Sequence, residues 1–277
     1  MPMVYLNGDY VPTEEAKISI LDRGFLYADS VYEVVPVYQQ KVLDLPLHVG
    51  RLQRSLDAIG LKLSVPESEW LRIIEQLIEH NDPSEECHKV YIQVTRGTLQ
   101  HLADRQLQPP TNITPTIIVQ CIPHALPANN GELHRGYRVC THTDIRRHDC
   151  FIKSTSLLPN VMIQQQVTAK GLDEAILLRD GFVTEGTCCN VFVVKNNTII
   201  TPPLTQFLLG GITRHLTIKA AKDNNIPILE IPVPQQELES ADEIWLTSSG
   251  KEIVPVIELD GRPLRSPCEQ TMWQRIT

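Results

Sequence analysis

The sequence predicts two α+β domains joined by a short linker. A chain of 277 residues exceeds what one small core needs and suits two domains of ordinary size. Strand-like and helix-like segments alternate without a regular βαβ rhythm, which disfavours a doubly wound sheet. The stretch Pro123 to Glu132 (PHALPANNGE) has two prolines, two asparagines and a glycine and no periodicity, as a linker should. The expected division is 1–122, a linker at 123–132, and 133–277.

In the first half, Val4-Tyr5-Leu6 and Val31 to Tyr38 have strand character, and Asn7-Gly8-Asp9 forms a turn before Tyr10-Val11. Leu45, Val49, Leu52, Leu56 and Ile59 recur at helical spacing and Gly60 is a natural stop. Trp70, Ile73, Ile74, Leu77 and Ile78 mark a second helix, broken by Asn81-Asp82-Pro83. Lys89 to Thr95 and Thr116 to Ile122 are rich in β-branched residues and read as strands. In the second half, strands are expected at Tyr137 to Thr141, Glu174 to Leu178, Val191 to Lys195 and Glu243 to Thr247. Helices are expected near Leu157 to Lys170 and Ile212 to Asn224.

Composition narrows the function classes. Hydrophobic content of 42% and charged content of 21% are those of a globular chain. A net charge of −8 argues against general nucleic-acid binding. No run approaches the roughly 18 apolar residues needed to span a membrane. Met1 to Tyr10 lacks a basic region followed by an apolar one, so a cytoplasmic location is expected. Seven cysteines, an odd count with no CxxC pair, suggest free thiols. No HxH or HExxH occurs, and His142 and His148 around Asp144 are too irregular for a metal site, so none is expected. The absence of GxGxxG and GxxxxGK[ST] removes the main nucleotide-binding signals.

Five places could carry chemistry. Lys153, after Phe151-Ile152 and before Ser154-Thr155-Ser156, has apolar neighbours, and burial of an amine disfavours its ammonium form. A neutral amine is what Schiff-base chemistry requires. Glu185, before Gly186, could be held on a tight turn and directed at a heteroaromatic nitrogen. Leu209-Gly210-Gly211-Ile212-Thr213-Arg214 places glycines where a helix begins, so N–H groups and the helix dipole would face an anion. Leu246-Thr247-Ser248-Ser249-Gly250 is a candidate backbone nest, and Arg51 offers the bidentate charge that phosphates favour. By position alone, Lys153 is equally a surface lysine, and the glycine and hydroxyl stretches are equally helix caps.

Taken together and in order, these segments resemble the fold-type IV pyridoxal-phosphate enzymes. That class holds D-amino acid and branched-chain transaminases and aminodeoxychorismate lyase. The likeness runs through Leu21-Asp22-Arg23-Gly24, Asp29 to Val34, His48 to Leu52 and Gln93-Val94-Thr95-Arg96-Gly97. It continues through Ile152-Lys153-Ser154, Thr184-Glu185-Gly186, Gly211 to Arg214 and Thr247-Ser248-Ser249. It implies a two-domain α+β fold with pyridoxal 5'-phosphate in the interdomain cleft, an amino acid and a 2-oxo acid as substrates, and a homodimer. Lys153 would bind the cofactor covalently and shuttle the substrate proton. Glu185 would pair with the ring nitrogen. Arg51, Ile212, Thr213, Ser248 and Ser249 would hold the phosphate, and Leu209 would pack on the ring.

Within that class, Tyr32-Glu33-Val34-Val35-Pro36-Val37-Tyr38 and Lys153-Ser154-Thr155-Ser156-Leu157-Leu158 look like the D-amino acid transaminases. Tyr32 would then line the substrate-carboxylate side. Branched-chain enzymes usually show Phe-Glu-Gly-Ile-Arg at that strand, and the lyase an asparagine-rich sequence after the lysine. The Bacillus-type D-amino acid transaminases carry an arginine and a histidine just past the QVTRG strand to grip the carboxylate. Here His101 falls at the arginine's place and Ala103 at the histidine's, with Arg105 and Arg146 as other candidates. The lyase, a branched-chain transaminase and a non-catalytic binding protein on the same scaffold are the competing readings. Retention of both Lys153 and Glu185 weighs against the last.

Overall fold

The computed structural model describes residues 1–81, 87–124, 136–264, 271, 272 and 274. The chain divides into two compact units, Met1–Leu126 with Ile152–Ser156, and Pro127–Phe151 with Leu157–Thr277. The linker expected at 123–132 lies outside the described residues except for Pro123 and His124.

The first unit opens with β1 (Met3–Leu6) and β2 (Asp9–Pro12), a hairpin in which Leu6 pairs with Asp9. Its two-residue turn, Asn7-Gly8, needs positive φ at both positions (53° and 113°), a requirement that asparagine and glycine meet at least cost. Then come α1 (Arg23–Tyr27), β3 (Ser30–Tyr38), β4 (Lys41–Val42), α2 (Leu45–Ala58), α3 (Glu67–Asn81), β5 (Cys87–Thr95) and β6 (Thr116–Pro123). The strands form one antiparallel sheet in the order β2-β1-β6-β5-β3-β4. The alternating residues Val31, Val35, Val37, Val90, Ile92 and Val94 meet Leu52, Leu56, Trp70, Ile73, Ile74 and Leu77 of the two helices in one core. Both helices follow the apolar periodicity read above, because a 3.6-residue stripe has a sheet to cover.

The second unit contains β7 (Tyr137–Thr143), α4 (Leu158–Ala169), β8 (Glu174–Arg179), β9 (Phe182–Gly186), β10 (Asn190–Lys195) and β11 (Thr198–Thr201). After these come α5 (Ile212–Asp223), β12 (Ile228–Glu230), α6 (Gln235–Glu239), β13 (Glu243–Ser248), β14 (Glu252–Leu259) and β15 (Arg262–Pro263). The sheet order is β12-β11-β10-β13-β14-β7-β8-β9, with β15 on β14, and the pairing is mixed. One core joins Val139, Ile176, Val183, Val191, Val193, Ile244 and Leu246. A second places Phe192 and Trp245 against Ile218 and Ala221 of α5, and a third places Ile163 and Val167 of α4 against Ala175 and Leu177. No helix among the described residues is long and apolar enough to cross a membrane, and no group of histidine, cysteine, aspartate or glutamate among them could hold a metal.

One boundary requires correction. The segment bearing Lys153 falls in the first unit, not in the expected domain 133–277, and it is extended ahead of α4, which begins at Leu158. The cause is an open edge. β4 covers only Val37 and Tyr38 of β3, leaving the start of β3 unpaired on that side. There Tyr32 N–H donates to the Lys153 carbonyl at 2.9 Å, Thr155 N–H donates to the Ser30 carbonyl at 3.2 Å, and Ser154 bridges Val31. An uncovered strand edge takes up whatever extended segment the chain brings to it.

Candidate active site

In the first unit the candidate residues gather at the start of β3. Tyr32 and Glu33 are neighbours on a strand, so they project to opposite faces of the sheet. Lys153 is fixed through its backbone, which also donates an N–H to Ser55 Oγ at 3.2 Å, and its Nζ lies 4.3 Å from the centre of the Tyr32 ring. Tyr32 in turn stacks on Tyr91, ring centres 5.5 Å apart. Glu33, fully buried, receives the Arg51 guanidinium in bidentate fashion, Nε to Oε1 and Nη2 to Oε2, both at 2.8 Å. His48 Nδ1 lies 2.8 Å from Oε2 and donates to it, since the carboxylate is ionised. Burial opposes that ionisation, but the charge and hydrogen bonds of Arg51, the bond from His48 and the charge of Lys153 overcome it. They lower the Glu33 carboxyl from 4.5 to about 2.

A pH prediction follows from that direction. A carboxyl lowered by folding stabilises the native state above its ordinary value, and that contribution is lost as pH falls from about 4.5 through about 2. Glu33→Gln should therefore destabilise the protein by on the order of 3 kcal/mol at neutral pH. The gap between variant and wild type should narrow steadily below pH 4.5. Urea unfolding of both proteins across that range checks this, and a gap that does not depend on pH would contradict it.

In the second unit a buried charge cluster surrounds Glu185 of β9. Its Oε1 accepts from Arg146 Nη1, and its Oε2 accepts from the Leu209 N–H at 3.0 Å and from Asn190 Nδ2 at 3.3 Å. Arg146 also binds both oxygens of Asp144 at 2.9 Å, through Nε and Nη2, and donates to the Phe207 carbonyl at 3.1 Å. Arg179 and Thr184 complete the shell of Asp144, at 3.3 and 3.0 Å from Oδ2. Burial pushes the Glu185 carboxyl above its ordinary value, with Arg146 and the Leu209 N–H pulling it back. For Asp144, burial is outweighed by Arg146 and its carboxyl is lowered.

The phosphate candidates lie beside this cluster. Asn190 Nδ2 donates to the Leu209 carbonyl at 2.8 Å, so Leu209 is fixed at both backbone ends and its side chain is half-buried. Helix α5 starts at Ile212 after Gly211, which supplies no side-chain cap, so Ile212 and Thr213 bring N–H groups with no intrahelical acceptor. Only glycine fits at 211, because a Cβ there would collide with Asn190 Oδ1. Ser248 ends β13 and Ser249 begins the turn to β14. The preceding Thr247 pairs with Asn190 across the sheet.

The fit to a phosphorylated pyridine aldehyde can be tested on these atoms. A carboxylate has about four lone-pair positions, and among the described residues Glu185 uses three of them. One remains for a ring N–H. An uncapped helix start supplies N–H donors for a phosphate, and Lys153 supplies a primary amine. Within the second unit, Glu185 and the start of α5 suit the ring nitrogen and the phosphate of pyridoxal 5'-phosphate, and within the first unit Lys153 carries an amine suited to its aldehyde.

Of the substrate candidates, Tyr32 stands against Lys153. His101 and Arg105 lie on an exposed loop of the first unit, flanking a 3-10 turn (Leu102–Asp104). His101 N–H is capped by Asp104 at 3.1 Å, and the Arg105 guanidinium lies 5.4 Å over the Tyr27 ring. Arg23 clamps that loop through the Gln106 and Leu107 carbonyls, at 2.7 and 2.8 Å. Arg146 departs from expectation. Its guanidinium is buried and occupied by Asp144, Glu185 and Phe207, so it positions Glu185 and cannot also present a free fork to a substrate. The reading from sequence gave no role to Glu33, His48, Asp144 or Asn190. The pair Asp144-x-Arg146 and the position of Asn190 five residues after Glu185 were the available signals.

The family of class IV amino-transferases matches residues 30–259. A D-alanine aminotransferase of Bacillus licheniformis is 37% identical over 263 residues, 95% of this chain and 90% of the relative. A putative branched-chain-amino-acid aminotransferase of Methanocaldococcus jannaschii is 36% identical, over 95% of this chain and 90% of its own length. Among solved structures, the branched-chain aminotransferase of Thermoproteus uzoniensis with norvaline superposes with a TM-score of 0.88 at 29% identity, covering 99% of this chain and 91% of that one. By fold and by sequence, the chain belongs to the class IV aminotransferases.

Proposed function

We propose that this aminotransferase uses pyridoxal 5'-phosphate to move an amino group between a D-amino acid, of the D-alanine or D-glutamate type, and a 2-oxo acid. The observation that carries the cofactor is the set of Lys153 on the β3 edge, Glu185 with one open lone pair, and the uncapped start of α5. The preference for D-amino acids is supported by the relatives named D-alanine aminotransferase and by Tyr32 where branched-chain enzymes usually have phenylalanine.

When bound, the cofactor supplies an electron sink that makes the substrate's Cα–H acidic. Lys153 Nζ would hold the cofactor and, once displaced by substrate, carry the proton from Cα. Glu185 would accept the ring N–H and keep it protonated, with Arg146 and the Leu209 N–H holding the carboxylate in place. The N–H groups of Ile212 and Thr213 would bind the phosphate with Ser248, Ser249 and Arg51, and Leu209 would pack on the ring. Tyr32, with Arg105 or His101, would face the substrate carboxylate. The homodimer implied by the resemblance belongs to the same reading, and sedimentation would test it.

The visible spectrum of the purified protein, before and after D-alanine, tests the proposal, with L-isoleucine as control. Loss of the lysine-bound cofactor band with D-alanine alone is the expected result. Loss with L-isoleucine alone would move the assignment to branched-chain substrates, the second reading that the 36% identical archaeal relative favours. No response to any D-amino acid would reject the proposal.

A further inference from the structure

The second unit contains a buried carboxylate that the chemistry above does not use. Glu174 of β8 is 1% exposed, and no lysine or arginine nitrogen lies within salt-bridge distance of it among the described residues. Burying a carboxylate without a partner cation is costly unless several donors satisfy it. Apart from its neighbour's N–H (Ala175, 2.9 Å), every donor to Glu174 among the described residues comes from one turn. Thr187 N–H reaches Oε1 at 3.0 Å, Thr187 Oγ1 reaches the same oxygen at 2.5 Å, and the Cys188 thiol lies 3.5 Å from Oε2.

That turn separates β9 from β10 and is closed by a 2.7 Å hydrogen bond from Gly186 N–H to the Cys189 carbonyl. It starts directly after Glu185 and ends directly before Asn190. Those two residues together hold Leu209, one through its N–H and the other through its carbonyl. Asn190 Oδ1 also packs against Gly211, at the start of α5. A displacement of Thr187 and Cys188 therefore moves both ends of the Leu209 clamp at once.

We propose that Glu174 is a positioning residue that fixes the Thr187-Cys188 turn, and with it the placement of the Glu185 carboxylate and the Asn190 amide toward the cofactor ring. The ligand side of this inference rests on the proposed use of pyridoxal 5'-phosphate. The geometric side does not.

The experiment combines two measurements on the full chain. Amide hydrogen exchange of Thr187 and Leu209 is followed without cofactor, and the dissociation constant for pyridoxal 5'-phosphate is measured by equilibrium dialysis. Glu174→Ala should speed exchange at both amides and weaken cofactor binding by about 10- to 100-fold, the range seen when residues supporting metal ligands are removed. Glu174→Gln keeps a carbonyl acceptor for Thr187 and should recover most of both effects. Thr187→Val removes the hydroxyl's contacts with Glu174 and Gln164 but keeps the Thr187 N–H bond to Glu174, and should move both readouts less, in the same direction. It also decides the question if Glu174→Ala does not fold. A fall in melting temperature with Leu209 exchange and cofactor affinity unchanged would overturn the proposal and leave Glu174 with a structural role only. If the wild-type chain binds no pyridoxal 5'-phosphate, the cofactor reading fails, while Leu209 exchange still decides whether Glu174 holds the Glu185 clamp.

Discussion

Lys153→Ala should lower transamination by at least about 10⁴-fold and remove the visible band of the lysine-bound cofactor, while leaving the fold intact. The rate loss combines an absent nucleophilic amine with an absent proton carrier, and a positioned acid–base group alone is worth about 10²- to 10⁴-fold. The fold should survive because this segment is held by its backbone. The Tyr32 N–H to Lys153 carbonyl bond, the Lys153 N–H to Ser55 bond and the Ser154 bridge to Val31 do not involve the lysine side chain. A melting temperature within a few degrees of wild type is therefore expected. A variant that keeps the covalent band would show that another lysine holds the cofactor.

Arg146→Met should cause the largest loss of stability among the site variants, about 3–5 kcal/mol. The guanidinium serves two buried acids and a carbonyl. Methionine replaces much of the volume but leaves Glu185 without its cation and Asp144 with Arg179 as its cation beside the Thr184 hydroxyl and the backbone N–H of position 146. Burial already pushes the Glu185 carboxyl up, and Arg146 opposes that shift, so its removal pushes the group further up. A carboxyl raised by folding favours the native state while protonated, and that contribution is lost as pH rises through its folded value. The deficit of Arg146→Met should accordingly be smallest in acid and grow as pH climbs through the carboxylate range. Denaturant titrations at a series of pH values measure this, and a deficit that shrinks with rising pH would contradict the account.

The same arginine shows where reading from sequence ends. Arg146 was one of several cations that could have met a substrate, and its only local signal is Asp144 two positions before it. Its role comes from pairing with Glu185, 39 positions away, and it depends on the order of β7, β8 and β9 in the sheet. The same holds for Arg51 and Glu33, 18 positions apart, and for Glu174 under a turn 13 residues further on.

What could be read from the chain was what local rules control. The apolar stripes of α2 and α3 follow from 3.6-residue periodicity, and the Asn7-Gly8 hairpin from the residues that tolerate positive φ. The start of α5 follows from glycines preceding a helix-forming run, and the cofactor candidates from short contiguous motifs. Only the tertiary structure decided that Lys153 joins the first unit, because β4 is too short to cover the edge of β3. It alone decided that Arg146 supports Glu185 and that Asn190 fixes Leu209. Periodicity and turn chemistry act between neighbours in the chain. Buried charges and open strand edges are satisfied by whatever the fold brings to them, however distant in sequence.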